Sequence, residues 1–307
     1  MKLTALSWNL FHGRDHPPGD ELFTWRSRLL RKSERNATHV QVNQDLLDEF
    51  AAMLAGAEWD VALLQECPPR FAAPLARACD AEAHRVLTSR NSFAPLRQLA
   101  ARINPDLIAS NEGGSNLTLV RKSFRCDLWP SDEHKSHRKL GGAGDGTVIA
   151  ERREVAIHTG PLERRAMALT RVALPTESED AGGAASPRAD LCVANLHASA
   201  NRVDLAAEDV LRAAGIATEW AGEAPLLFGG DLNLQPAKSG EVFDELRERF
   251  GLATPTAPSA IDHLLARGLE MVERPRRWPD ERREVRRDGL ALRLSDHSPV
   301  EATFALP

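Results

Sequence analysis

Long apolar runs are missing from this chain of 307 residues, so a membrane-crossing helix, which needs about eighteen such residues, is excluded at the level of sequence. Cysteine is scarce as well. Cys67, Cys79, Cys126 and Cys192 stand far apart with no CxxC pair, which excludes a zinc knuckle and a redox dithiol and leaves reduced thiols as the expectation. The opening stretch MKLTALSWNLFHG lacks the unbroken apolar segment of a secretory signal, because Asn9 and His12 interrupt it; a strand and a cytoplasmic location are expected instead. An excess of positive charge is also absent. Lys and Arg number 39 against 44 Asp and Glu, a net charge of −5, which argues against indiscriminate adhesion to nucleic acid but leaves room for a local basic face. With 42% hydrophobic residues the chain can bury a substantial core, which rules out disorder, a collagen-like fibre and a disulfide scaffold. No long Pro/Ser linker divides it, so residues 1–307 are expected to form a single domain.

Periodicity predicts many strands and a few long helices. Leu3 to Leu10, Asp60 to Glu66, Asn116 to Arg121, Thr147 to His158, Arg165 to Leu174, Leu191 to His197, Pro225 to Phe228, Ile261 to Leu265 and Pro299 to Phe304 read as strands. Helices are predicted over 39–56, over Val203 to Ala221 and over Glu241 to Phe250. The alanine-rich stretch 68–109 is expected to hold short helices and loops rather than sheet, and Gly141 to Gly146 and Pro175 to Asp190 are expected to be hairpin loops. This alternation points to an α/β fold with a two-sheet core flanked by helices.

Six polar clusters close these apolar runs: Trp8–Asn9, Gln65–Glu66, Asn195–His197, Gly229–Asn233 (GGDLN), Ile261–His263 and Ser295–Val300 (SDHSPV). Alone, each is most simply a turn or a solvated pair. Together they carry the residue types that phosphoester hydrolysis requires, where cations and donors must meet the charge building on phosphate oxygens. Glu66 is the best single ligand for a hard cation such as magnesium. Asp231 and Asn233, two apart on an extended segment, would point the same way, one accepting a proton and the other orienting a water. His297 needs a carboxylate to hold its charge, and Asp262 at the end of another strand is the candidate.

This set of motifs, GGDLN followed by SDHSPV above all, resembles the endonuclease/exonuclease/phosphatase (DNase I-like) superfamily over Leu3 to Phe304. The resemblance implies a four-layer α/β sandwich with two packed mixed β-sheets flanked by helices, and a divalent metal, usually Mg2+ with Mn2+ as the substitute. It implies catalytic positions at His197, Asp231, Asn233, Asp262 and His297, and metal positions at Asn9, Glu66 and Asp296. Asn116 in GGSNLTLVRK and Arg165 in LERRAMALTRV match substrate-side positions, with Arg164 as the alternative to Arg165.

Other residues are expected to be structural. Trp8 and Trp59 suit core packing, His263 points away from Asp262 on an extended strand, and Cys67 faces away from Glu66. His12, His16, His134 and His137 lack paired-ligand spacing and are expected in exposed loops. Between Glu273 and Arg293 lie eight arginines and five carboxylates, which is either a hairpin held by its own ion pairs or a phosphate-holding arm using Arg276 and Arg277, with Trp278 to stack on a base.

The chain has no tyrosine, and His197 falls where AP endonucleases carry one. GGDLNLQP and SAIDHLL lack the aromatic, arginine and cysteine pattern of inositol polyphosphate phosphatases, and no signal or aromatic hairpin of secreted sphingomyelinases is present. The expected protein is a divalent-metal-dependent phosphodiester hydrolase, first a nuclease on DNA or RNA. A phosphatase or phosphodiesterase acting on a lipid headgroup or small phosphoester, and a catalytically silent anion-binding protein, are the alternatives. No protein partner is identifiable.

Overall fold

Strand β1 (Lys2–Asn9) sets the plan of the molecule, because its two faces meet different cores. Leu3 and Ala5 face a second sheet, while Leu6, Trp8 and the following Leu10 face a helical layer. The same two-residue period recurs in β4 (Val61–Cys67), β6 (Ser115–Arg121), β9 (Asp190–His197) and β10 (Leu226–Asp231), whose inner positions Val61, Leu63, Val120, Leu191, Val193 and Leu227 join Leu3 and Ala5 in the core between the sheets. The computed structural model describes residues 1–30, 32–36, 38–88, 94–104, 114–126, 148–159, 164–174 and 190–306.

The further strands are β2 (Glu34–Arg35), β3 (Val40–Gln41), β5 (Ala81–Leu87), β7 (Ile149–Thr159), β8 (Arg164–Ala173), β11 (Asp262–Arg267), β12 (Glu270–Arg277), β13 (Glu284–Arg287), β14 (Leu290–Arg293) and β15 (Val300–Ala305); β2 with β3 and β13 with β14 make separate two-stranded sheets, and the rest join β1, β4, β6, β9 and β10 in two large ones. A six-stranded sheet runs β12, β15, β1, β4, β6, β5, and a five-stranded sheet runs β11, β10, β9, β8, β7. Both are mixed, since β1 pairs parallel with β4 and β9 parallel with β10 while the remaining pairs are antiparallel. Helices Leu47–Gly56 and Ala72–Ala78 cover the first sheet through Phe50, Leu54 and Leu75. Helices Val203–Ala221 and Gly240–Phe250 cover the second, the former through a stripe of small residues, Ala206, Ala213, Ala214 and Ala217, that lets it lie close. Helix, sheet, sheet and helix make the four-layer α/β sandwich.

Two expectations are corrected. The helix over 39–56 starts only at Leu47, because its apolar stripe begins at Leu46; upstream, Val40–Gln41 is a short strand and the backbone N–H of Val42 donates to the Asp15 carboxylate (2.8 Å). The stretch 68–109 holds a strand after all, β5, an edge strand paired with β6, in which Glu82, His84 and Val86 alternate with Ala81, Ala83 and Arg85. Residues 141–146, expected to be a hairpin loop, lie outside the described residues. Residues 175–189 are also outside the described residues; the strands on either side of them, β8 and β9, pair antiparallel.

Candidate active site

On the inner faces the apolar period ends in polar residues at one edge of the sandwich: Asn9 on β1, Asn195 and His197 on β9, Asp231 on β10 and Asp262 on β11. Register carries three of them side by side, with Asp231 opposite His197 on one flank and Asp262 on the other. Glycine makes this approach possible. A Cβ on Gly230 (φ 130°) would lie 1.9 Å from the Leu196 carbonyl oxygen, and one on Gly229 would lie 2.4 Å from that of His263.

Glu66 arrives by a different device. Strict alternation would aim it at the helical layer, but β4 slips its register with β6 between Leu64 and Cys67, and Glu66 takes a left-handed φ of 47°. The bulge re-aims the carboxylate toward the site and leaves Cys67 buried on the helical side. Among the described residues, five of the nine non-glycine positions with positive φ belong to this edge: Phe11, His12, Glu66, Asn233 and Ser295. Strain of this kind costs about 1 kcal/mol or more at each position and persists only where surrounding contacts fix it.

Those contacts are specific. Asn9 donates its carboxamide N–H to Asp231 Oδ2 (3.0 Å) and accepts from the Phe11 N–H (2.9 Å). The Asn233 backbone N–H donates to Asp231 Oδ1 (3.1 Å), and its Nδ2 donates to the Ala198 carbonyl (3.1 Å). Asp231 and Asn233 therefore do not lie on one extended segment, because β10 ends at Asp231 and the chain turns left-handed at Asn233 to cap that carboxylate. His197 Nε2 lies 3.6 Å from Asp231 and 3.8 Å from Glu66. His297 Nδ1 lies 2.8 Å from Asp262 Oδ2, with its Nε2 3.9 Å from both Asp231 and Asp296. The His297 backbone is held too: Ser295 Oγ accepts its N–H (3.0 Å) while donating to the Asn9 carbonyl (2.7 Å), and Trp8 Nε1 donates to its carbonyl (2.9 Å).

Burial and charge divide the titratable groups. Burial, then the Asp262 charge, pushes Asp231 up to about 7. Burial opposes a charge on His297, but the carboxylates of Asp262, Asp231 and Asp296 override it and raise the imidazole to about 10. Burial and the nearby Arg165 lower His197 to about 3, so it is neutral. Glu66 remains ionised below the usual carboxylate range, because the histidines around it and Arg14 outweigh its burial. One buried acid near neutrality beside a fixed cation is an arrangement that moves protons.

His12 is a residue the sequence reading placed in an exposed loop. Its Nε2 lies 3.1 Å from Glu66 Oε2, and burial lowers its pKa. The available signal was its position three residues after Asn9 at the end of the same strand. His16 stacks on Phe23, while His134 and His137 lie outside the described residues. His263 is fully buried, donating from Nε2 to the Leu234 carbonyl and accepting the Thr256 N–H, and Trp8 and Trp59 are core residues.

The remaining expected residues differ in placement. Arg164 pairs with Glu154, whereas Arg165 acts electrostatically on both His12 and His197. Asn116 is fully buried between the sheets, donating to the carbonyls of Ala166 (2.9 Å) and Asn195 (3.3 Å). No contact joins Arg276 or Arg277 to the cluster. Arg276 pairs with Glu301 (3.2 Å), Arg277 is exposed, and Trp278 is buried with its Nε1 donating to Glu301 (2.9 Å). Around them Arg283 and Arg293 pair within the stretch, with Asp280 and Glu284, whereas Arg282 and Arg287 tie it to Glu301 on β15 and Glu49 on helix Leu47–Gly56, so the arginines are held by structural ion pairs, only some of them the hairpin's own. Buried Arg283 also donates to the carbonyls of Leu294 and Ser295, in the segment that leads to His297.

The model of the Endonuclease/Exonuclease/phosphatase family matches residues 6–297. The chain belongs to this family. It is therefore a phosphoester hydrolase, and the family generally works with a divalent metal ion. Solved structures of similar fold include an endonuclease/exonuclease/phosphatase family protein from Bacteroides thetaiotaomicron, at 14% identity and TM-score 0.59 over 100% of this chain and 96% of that one. A mannosyl-6-phosphatase of the same species has 14% identity and TM-score 0.57 over 99% and 100%. The human Nocturnin catalytic domain, with bound sulfate, has 13% identity and TM-score 0.55 over 100% and 95%. At these identities the likeness is one of fold. No curated protein matches the chain by sequence. No helix among the described residues is long and apolar enough to cross a membrane.

The donor set fits a hard cation. Ligand atoms of Asp231, Asp262 and His297 lie within 4.8 Å of one another, with His297 Nδ1 already engaged by Asp262 (2.8 Å). Ionised Glu66, held by His12 and near His197, is a further hard-oxygen donor at the same edge.

Proposed function

We propose that this enzyme is a magnesium-dependent phosphodiester hydrolase in which a water activated by Asp231 attacks phosphorus in line, and that residues 1–307 form one catalytic domain. The observation that carries the reading is the setting of Asp231, buried and raised to about 7 beside a His297 that keeps its charge to about 10. Asp231 takes a proton from the water near neutral pH, and Asn233, whose Nδ2 is engaged by Ala198, offers its Oδ1 to orient that water. His297, charged by Asp262, faces the phosphate as a fixed cation, and neutral His197 donates to a phosphate oxygen. Magnesium, or manganese in its place, would be held by Glu66, Asn9 and Asp296 and would supply charge for the oxygens of the phosphate. Arg165, close enough to act on His12 and His197, belongs to the substrate side, and Asn116 supports it from between the sheets. The buried thiols Cys67, Cys79 and Cys192 suit the reducing cytoplasm, which we take as the compartment.

DNA or RNA is the first substrate reading, with Arg276 and Arg277 meeting flanking phosphates. A second reading, a lipid headgroup or small phosphoester, is favoured by two observations: Arg276 is already neutralised by Glu301, and Trp278 is buried rather than free to stack. Hydrolysis of single-stranded DNA, duplex DNA, RNA and bis-p-nitrophenyl phosphate, with magnesium, manganese or EDTA, separates them. Metal-dependent cleavage of a polynucleotide, lost in Asp231→Asn, establishes the nuclease. Cleavage of the small diester alone moves the reading to lipids and small phosphates, and no metal-dependent cleavage of any substrate leaves the silent anion binder.

A further inference from the structure

Six of the nine exposed large hydrophobic residues among the described residues lie on two short helices: Trp25, Leu29 and Leu30 on Trp25–Leu30, and Leu96, Leu99 and Ile103 on Ala94–Ile103. All six are more than half exposed, from 52% for Leu29 and Leu30 to 69% for Leu96. Leu96, Leu99 and Ile103 recur at the spacing of one helix face, and Trp25 and Leu29 stand one turn apart. A face of this kind normally packs on a core; here it points to solvent.

The two helices meet. Asn104, directly after the second, donates to the Leu29 carbonyl (3.4 Å), and Asn43 bonds both the Asn104 side chain and the Arg28 carbonyl. Leu29, Leu30 and Ile103 are thereby brought to one place. That place adjoins the candidate active site. From Phe11, next to His12, a chain of rings runs through His16 to Phe23, just before the first helix. On the other side, the Thr88 N–H, just after β5, donates to the Gly114 carbonyl (3.0 Å), and a Cβ on Gly114 would lie 3.4 Å from the Glu66 α-carbon and 3.6 Å from the His12 ring.

Positive charge predominates around the shelf, with exposed Asp20 and Glu21 lying just upstream of Trp25. Arg26, Lys32 and Arg102 are exposed around it, helix Ala94–Ile103 contains no acidic residue, and Glu34 is the one acid between Trp25 and Asn36. The protein as a whole is acidic, with a net charge of −5, so this apolar and basic surface is set against the prevailing charge. Leu and Trp flanked by Lys and Arg is the chemistry of the boundary between anionic headgroups and acyl chains.

We propose that helices Trp25–Leu30 and Ala94–Ile103 form a docking shelf that seats the enzyme on an anionic lipid bilayer, with the candidate active site at its edge. The inference rests on the exposed face and its charge, not on the substrate reading. Trp25 and the leucines enter the interface, and Arg26, Lys32 and Arg102 meet lipid phosphates. The association is reversible and salt-sensitive, because it rests on interfacial side chains and charge, and no helix among the described residues is long and apolar enough to span a bilayer.

Sedimentation of the full chain with vesicles of phosphatidylcholine and phosphatidylglycerol at about two to one, against pure phosphatidylcholine, tests it. Binding to the anionic vesicles alone is expected, with a drop of about tenfold or more in the double variant Leu96→Ser, Leu99→Ser and in Arg26→Glu, Lys32→Glu. Trp25 is the one exposed tryptophan among the described residues, so a blue shift of emission on binding should vanish in Trp25→Phe. Cleavage of bis-p-nitrophenyl phosphate should be unchanged in the leucine variant, which separates a failed shelf from a failed site. Equal sedimentation of wild type and variants overturns the proposal. So does absence of vesicle binding, a concentration-dependent dimer abolished by the leucine substitutions, or single-stranded DNA binding that alone responds to the arginine and lysine substitutions.

Discussion

Asp262 Oδ2 and His297 Nδ1 approach to 2.8 Å, although 35 residues separate them and their segments border different sheets. That contact, with Asp231 and Asp296 behind it, keeps His297 charged up to about 10. Asp262→Asn should lower kcat on bis-p-nitrophenyl phosphate by about 10²-fold or more, the scale of one positioned acid–base group. It should also move the alkaline limb of the pH profile down toward an ordinary histidine, while the melting temperature changes modestly. An alkaline limb identical to that of the wild type would remove His297 from its assigned role.

Glu66 is held by His12 at 3.1 Å, on a bulge that strains its backbone. A hydrogen bond to a metal-binding carboxylate orients it without touching the metal, and losing such a partner typically weakens metal affinity by about 10–100-fold. Manganese binding followed by calorimetry should therefore vanish in Glu66→Gln, weaken in His12→Ala and recover in part in His12→Gln, which keeps a donor. Equal affinity in all four proteins would make His12 a packing residue.

Much of this site was legible because polar residues ended apolar runs on matching faces. In β1, β9 and β10 a strict two-residue period places Asn9, His197 and Asp231 on the inner face once Leu3, Val193 and Leu227 are taken as buried. What stayed hidden depends on departures from that period. The bulge at Glu66 and the left-handed turn at Asn233 cannot be read from composition, because neither residue type demands such a backbone. His12 was missed for the same reason, since it follows Phe11 through two positive-φ residues that fold the chain back onto Glu66. Strand β5 was lost in alanine-rich sequence whose short side chains give little hydrophobic contrast.

Gly230 should tolerate no side chain. Its φ of 130° and the 1.9 Å approach of a Cβ to the Leu196 carbonyl oxygen act together, because the obstacle is strand backbone rather than a movable side chain. Gly230→Ala is expected to destabilise the fold by more than about 3 kcal/mol, at the severe end for single substitutions, as read from the denaturation midpoint. A loss under about 1 kcal/mol would mean that β9 and β10 can part without disturbing Asp231.

His84 makes the fold sensitive to acid at a point remote from the chemistry. It lies on β5 in one sheet with Nδ1 2.8 Å from Thr170 Oγ1 on β8 in the other, and burial, helped by Arg152, lowers its pKa to about 4. In the unfolded chain it titrates near 6.5. Above that pH the imidazole is neutral in both states and costs nothing. As the pH falls from 6.5 toward 4, the unfolded chain takes up a proton that the folded chain refuses, so stability is lost across this window, by about 3 kcal/mol at most. Other buried histidines add to acid lability, so the difference between wild type and a variant isolates this one. His84→Gln keeps a hydrogen-bonding partner for Thr170 and cannot be protonated. Urea unfolding at a series of pH values should show the variant losing less stability than the wild type between 6.5 and 4, with the two curves parallel above that window. Parallel curves throughout would mean that the sheets part enough at Thr170 to let His84 carry its proton in the folded state.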